Sequence, residues 1–251
     1  MKHCDVCCFY TSISGCTYGE AESSAQANLA IVKRTLRPNQ LLETVADKTQ
    51  LAYIEKGWAF SFRLSNAGDR TIGGIYSEGE LVGTANLFGI DYDYSVRALT
   101  NMSVCLIETD EVIALMRRSD AYFSYLQTEI RRLLWLLASR TFELSNCNAE
   151  ERLCRSIIVA CLKVFGVLKE TSMKFPLTQE MLADQIGTSK VHVNRIFVSL
   201  KKAGVCVLRR GTLRILNSDA LLERAALTER EFAAMIRVLC DKETGEPFFV
   251  E

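Results

Sequence analysis

Leu177-Thr178-Gln179-Glu180-Met181-Leu182-Ala183-Asp184-Gln185-Ile186-Gly187-Thr188-Ser189-Lys190-Val191-His192-Val193-Asn194-Arg195-Ile196 decides the fold of the second half of the chain. Thr178 stands at a helix N-cap, where its hydroxyl can accept from unpaired backbone N–H groups. Ala183 is small where two helices must cross closely. Gly187 permits the left-handed conformation that turns the chain. Ser189 caps a second helix whose Val193, Ile196, Phe197 and Leu200 face inward, leaving Lys190, Val191, His192, Asn194 and Arg195 on or near the outer face. This is a helix-turn-helix, with the second helix presented to the major groove of double-stranded DNA. Two short strands follow, Val205 to Leu208 and Thr212 to Leu216, and Arg209 and Arg210 at their turn read as a wing against phosphate.

Charge agrees with that reading. The 251 residues hold 30 Lys/Arg and 30 Asp/Glu, yet residues 148–218 hold 12 basic against 5 acidic, a net of +7. The stretches before and after are net −3 and −4. A basic block inside a neutral chain is the footprint of a polyanion-binding module. No apolar run approaches the roughly 18 residues of a membrane span. The first residues lack the apolar stretch of a secretory signal. With three prolines and no low-complexity tract, long disorder is excluded. The expectation is a cytoplasmic protein with no membrane partner.

Working outward, residues 41 to 108 have a β texture. Trp58, Phe60, Phe62 and Leu64 alternate with small or polar residues, Asn66-Ala67-Gly68-Asp69 reads as a hairpin turn, and glycines recur through Gly89. Tyr94 to Leu99 and Ser103 to Ile107 are two further strands. Short strands with frequent glycine turns predict an antiparallel roll or barrel. A short helix is expected around Ala25 to Thr35, and another over Asp110 to Arg118. A long one, capped by Ser119 or Asp120, runs to about Ser145. Its Phe123, Leu126, Ile130, Leu133 and Leu137 are spaced 3-4-3-4, a heptad seam. Leu134, Trp135 and Leu136 widen the apolar face, so the helix needs two partners: its own roll and a second subunit. Beyond it come a helix over Asn148 to Phe165 and two C-terminal helices, with Thr228 and Glu231 in capping-box spacing.

The order of β-roll, long helix and winged helix-turn-helix resembles the CRP/FNR family of bacterial transcription regulators. Asn148-Ala149-Glu150-Glu151-Arg152-Leu153 is similar to the link from dimer helix to DNA-binding domain in FNR-type members, and Gly79-Glu80-Leu81-Val82-Gly83 to the family's roll turn. The resemblance covers roughly residues 40–225. It implies an α+β chain: an N-terminal Cys-rich segment (1–20), a cyclic-nucleotide-binding-like β-roll sensor (21–109), a dimerisation helix region (110–146), a winged helix-turn-helix (147–225) and a C-terminal extension (226–251). It also implies a homodimer on a two-fold promoter site, with RNA polymerase as a partner, and no enzymatic activity. The cyclic-nucleotide branch grips phosphate with an Arg-Ser pair. Here the matching Ile90-Asp91-Tyr92-Asp93-Tyr94-Ser95 offers two acids and no arginine, so cyclic AMP is not the expected effector. FNR-type members carry Glu where this chain has Val191, and Arg195 matches their base-reading arginine. Glu accepts from a cytosine amino group whereas Val touches only a thymine methyl, so the half-site should differ at that position.

Ten cysteines is a high count for a cytoplasmic chain. Cys4, Cys7, Cys8 and Cys16 crowd the start. A Cys-x2-Cys pair places two thiolates on one metal, and further cysteines can complete a zinc or iron–sulfur site. In the resembling oxygen sensors such a run joins one β-roll cysteine around a 4Fe–4S cluster, and Cys105 lies where that fourth ligand lies. The ligand set this implies is Cys4, Cys7, Cys16 and Cys105, with Cys8 as substitute for Cys7 because the spacing departs from the family's. The plainer readings are a reactive tail and a buried strand cysteine. Cys147, Cys154, Cys161, Cys206 and Cys240 have no ligand spacing and read as core.

Three rival inputs or functions follow. A small organic effector could bind the roll, where Phe88 to Tyr94 is aromatic and acidic. Haem is poorly served by the two histidines, His3 and His192. A thiol–disulfide oxidoreductase using Cys4 and Cys7 lacks the thioredoxin-like βαβ setting.

Overall fold

The computed structural model describes residues 31–46, 49–89 and 94–240. These fall into two compact units: residues 31–64 with 73–131, and 65–72 with 132–240.

The first unit is a roll of two antiparallel sheets. Strands β1 (Val32–Leu36), β2 (Gln50–Lys56), β3 (Ala59–Leu64), β4 (Arg70–Tyr76), β5 (Leu81–Val82), β6 (Ser95–Ala98) and β7 (Met102–Glu108) are arranged as β1-β7-β2-β5 and β4-β3-β6. The short helix expected to reach Thr35 is not formed there: Val32–Leu36 is a strand, held by five consecutive pairs with β7 from Val32↔Leu106 to Leu36↔Met102. Residues 21–30 lie outside the described residues.

Strands β2 and β7 are buried on both faces. Ala52, Ile54, Met102, Val104 and Leu106 fill the roll interior with Leu36, Val82 and Val96. Leu51, Tyr53, Cys105 and Ile107 point the other way. They meet Val112 and Leu115 of helix α1 (Thr109–Met116) and Tyr122 and Leu126 of helix α2 (Asp120–Asn146). Leu126 is therefore part of the sensor core, at 1% exposure, rather than a face left for a partner.

The second unit contains the rest of α2 and helices α3 (Ala149–Phe165), α4 (Gln179–Ile186), α5 (Lys190–Lys202), α6 (Ser218–Arg224) and α7 (Glu229–Cys240). Asn148 and Glu151 form a complete capping box that starts α3. Its Leu153, Cys154, Ile157, Ile158, Cys161 and Leu162 are buried. A three-stranded sheet, ordered β8-β10-β9, joins β8 (Thr171–Lys174), β9 (Cys206–Arg209) and β10 (Thr212–Ile215). Strand β8 was not foreseen; its four residues alternate too briefly to register. The Thr228–Glu231 capping box forms at the start of α7. Buried Arg155 ties α3 to the turn before α7, donating to the carbonyls of Ala225 at 2.9 Å and Ala226 at 2.8 Å. Among the described residues, no helix is long and apolar enough to cross a membrane.

Candidate nucleic-acid interface and buried cysteines

Thr178 caps α4 by accepting from the Met181 N–H, and Ser189 caps α5 by accepting from the His192 N–H. Between them Gly187 sits at φ 68, and the Thr188 N–H closes the helix end on the Ala183 carbonyl at 3.1 Å. A residue with a Cβ is strained at that φ, so the turn requires glycine. Val193, Ile196, Phe197 and Leu200 are buried as the pattern demands. Lys190, Val191, His192, Asn194 and Arg195 are exposed, Val191 at 61%. The outer face of the N-terminal half of α5 thus carries a cation, an imidazole, an amide, a guanidinium and one apolar side chain.

Two acids sit on the preceding helix, where bare charge would repel DNA. Glu180 lies 3.9 Å from the Lys190 ammonium, and Asp184 is bound by Arg70 at 2.6 Å. These pairs lower the local negative field.

The wing turn carries Arg210 at φ 49 and Gly211 at φ 69, the backbone of a tight two-residue hairpin. Arg209 stands opposite Thr212, and Thr212 stands opposite Lys174 of β8. The strand that sequence reasoning missed thus brings a third cation to the wing. Its signal was present: Lys174 lies three residues before Leu177 and belongs to the same basic block.

On the long helix, the sequence seam divides. Leu126 is buried, Ile130 and Leu133 are half-buried, and Phe123 and Leu137 are exposed. Leu134 and Leu144 are also exposed, at 61% and 51%. The outward stripe is Phe123, Gln127, Leu134, Leu137, Thr141 and Leu144 with half-buried Ile130 among them, a 4-3-4-3-4-3 repeat one position away from the foreseen seam at two places.

Cys105 is fully buried on β7, facing α1 and α2 rather than the roll interior. Its register partners are Lys33 of β1 and Tyr53 of β2. Beside it Glu55 is bound by Lys33 at 2.7 Å and by the Ser103 hydroxyl at 2.7 Å. Burial pushes the Glu55 carboxyl up, but hydrogen bonds from Lys33, Ser103 and Cys105 hold it below the usual carboxylate range. Cys4, Cys7, Cys8 and Cys16 lie outside the described residues, as do His3 and residues 90–93. Among the described residues no group of three or more metal-binding side chains comes together.

The other buried thiols have a different setting. Burial pushes Cys154 well above the ordinary thiol range, Cys161 to about 11 and Cys206 to about 12. They are packing residues of the second unit. Within that unit a cavity of about 260 Å³ is lined by α2, α3 and α7, with Trp135, Phe142, Glu143, Arg155 and Glu231 among its walls. Burial raises the Glu143 carboxyl, and the nearby Arg155, Arg140 and Arg152 offset part of that rise.

A β-roll followed by a long helix and a winged helix-turn-helix defines a DNA-binding transcription regulator with an N-terminal sensor module. Comparison with known proteins agrees across both modules. The Crp-like helix-turn-helix domain matches residues 151–224 and the cyclic nucleotide-binding domain residues 33–119. The Fumarate and nitrate reduction regulatory protein of Shigella dysenteriae is 23% identical, over 90% of this chain and 91% of its own. The Anaerobic regulatory protein of Aggregatibacter actinomycetemcomitans is also 23% identical, over 93% and 92%. The structure of FixK2 from Bradyrhizobium japonicum superposes with a TM-score of 0.69 at 16% identity, covering 80% of this chain and all of that one. The chain belongs to the CRP/FNR family of transcription regulators, and it is a regulator rather than an enzyme.

Proposed function

We propose that this regulator senses oxygen or redox state through an N-terminal iron–sulfur cluster and binds a two-fold promoter site as a cytoplasmic homodimer, with RNA polymerase as its partner there. The observation that carries the sensing part is the place of Cys105. It pairs in register with Lys33 of β1, the first described strand after the Cys-rich segment in the sequence. Cys16 precedes Lys33 by 17 residues. At roughly 3.3–3.6 Å per extended residue, 17 residues of chain exceed the spacing of neighbouring strands, about 4.8 Å, many times over.

The donor set suits the group. Four thiolates hold a 4Fe–4S cluster, and Cys4, Cys7 or Cys8, Cys16 and Cys105 supply them. When bound, the cluster supplies oxygen-sensitive redox chemistry. The chain's own residues transmit the result. Glu55 beside Cys105 is paired with Lys33 and bonded by the Ser103 hydroxyl. Cys105 packs in the same cluster as Tyr122 and Leu126 of α2, so a shift at its strand bears directly on the start of the long helix. That helix presents the stripe from Phe123 to Leu144 to its twin. Parallel pairing sets two recognition helices one DNA turn apart, and the dimer balance sets occupancy.

The test is anaerobic purification followed by iron and acid-labile sulfide assays before and after air. About four iron per monomer, lost in air, is the expected result. Cys105→Ser should lower the iron content while leaving the far-ultraviolet circular dichroism intact. Iron-free protein that binds its promoter equally well with and without air would overturn the cluster, and would move the input to a small organic effector in the roll.

A further inference from the structure

We infer that Gln179 and Asn194 form one base-reading unit, in which Gln179 is a positioning residue that presents the Asn194 amide to an adenine in each half-site. The inference rests on the DNA-recognition reading above and names part of what that site reads.

The observation is a hydrogen bond between two helices. Asn194 Nδ2 donates to Gln179 Oε1 at 3.1 Å. Gln179 is the first residue of α4, directly after the capping Thr178, and Asn194 is the fifth residue of α5. Asn194 is exposed, and it shares one side of α5 with Val191 three residues before and Val198 four residues after. It therefore lies within the stripe that faces the groove, next to Arg195.

An asparagine amide has two N–H donors and an oxygen with two lone pairs. One donor goes to Gln179. The second donor and Oδ1 remain for a ligand. Adenine is the base whose major-groove edge matches such an amide: N7 accepts and the N6 amino group donates, whereas guanine offers two acceptors there. An exposed asparagine alone rotates freely and presents its two ends with equal ease. In the observed pair Gln179 supplies the acceptor, so the nitrogen end of the Asn194 amide is turned toward residue 179 and Oδ1 away from it. The tie also spans the two helices of the motif. The reading amide is thereby held on the rigid α4–α5 frame, which lowers the ordering cost on binding DNA.

The sequence places Asn194 among the DNA-binding residues of the outer face without assigning it a base, and it gives Gln179 no role. Their contact across 15 positions is visible only in the folded chain.

The experiment is a binding-site selection from random double-stranded DNA, run with the full-length dimer under conditions that support DNA binding. The wild type should enrich adenine at one position of each half-site, adjacent to the position read by Arg195. Asn194→Ala should erase that preference, a change of roughly 5- to 150-fold in discrimination, and leave the other positions as they are. Gln179→Ala should weaken it at the same position. Gln179→Glu keeps an acceptor and should keep the adenine preference even where the added charge lowers overall affinity. Unchanged preference in Asn194→Ala, or in Gln179→Ala, would overturn the inference. Absence of any sequence preference in the wild type would instead bring down the DNA-recognition reading on which it stands.

Discussion

The two units bury cysteines equally deeply and to different ends. Cys105 in the sensor roll and Cys154, Cys161 and Cys206 in the DNA-binding unit are all fully shielded from solvent. Around Cys105, however, the sheet places a lysine, a carboxylate and a serine hydroxyl, and the strand beside it is the first described strand after the Cys-rich segment in the sequence. In the DNA-binding unit the thiols lie among Leu153, Ile157, Ile158 and Leu162 of α3 and the other buried side chains of that unit, and burial drives their ionisation up. Burial alone therefore says little about a cysteine's role. Polar neighbours and chain connectivity separate a ligand candidate from a packing residue.

The strongest way to test how the two units act together is to break the helix that runs from one into the other. Leu137 is half-exposed on the heptad stripe of α2 and has no place in the sensor cluster. Leu137→Asp should give a folded monomer by sedimentation and a loss of promoter affinity of about 10²-fold or more, because each half-site is then bound singly. Leu126→Asp is the control that sharpens the contrast. Leu126 is buried in the sensor core, so that variant should lose stability rather than dimerisation alone. A Leu137→Asp protein that stays dimeric would remove the exposed stripe as the interface.

The thiols themselves give the next test. Below the ordinary thiol pKa of about 8.5, Cys161 and Cys206 are protonated in both folded and unfolded chains. Their raised folded values, about 11 and about 12, mean that the unfolded chain loses its protons first as pH rises. Their contribution to stability is present in full below about pH 8.5 and is lost as pH climbs through the folded values. At pH 8 the peptides holding Cys154, Cys161 and Cys206 should react with iodoacetamide roughly 10²-fold more slowly in native than in urea-unfolded protein. Mass spectrometry of the digested protein reads this directly. Rapid native labelling of Cys206 would contradict the packing assignment.

How much of this was legible in the sequence depended on where side chains point. The recognition motif was readable because each position has a local cause: a hydroxyl at each cap, a glycine at the turn and apolar residues at helical spacing. The roll was readable as a class. Its strand β7 was legible at Ser103 to Ile107, but β2 was not delimited, because both of its faces are buried and the period-2 alternation disappears. The same difficulty affects the reading of the apolar seam on the long helix. A helix covered on one side by its own roll is apolar there too, so Leu126 and Leu134 look alike in sequence, and only burial tells them apart. Strand β1 was missed because Val32–Leu36 is exposed over most of its length and owes its form to pairing with β7. The Gln179–Asn194 contact has no sequence signal of its own.

The smallest expected effect separates positioning from reading within the DNA-binding unit. Arg210 sits at the wing tip with φ 49, a conformation that glycine adopts without strain. Arg210→Gly therefore removes one cation while keeping the turn. If the wing meets only phosphate, affinity should fall by a few-fold on specific and random DNA alike. The slope of log affinity against log salt should become shallower by about 0.9, the value for one lost phosphate contact. Arg195→Ala should do the opposite: lose affinity chiefly on the specific site, by about 1–3 kcal/mol, and relax preference at one base pair. The two arginines lie 15 positions apart, on the recognition helix and on the wing turn. A sequence preference that changes in Arg210→Gly would show the wing reading bases, and would move part of the specificity from α5 to the β9–β10 turn.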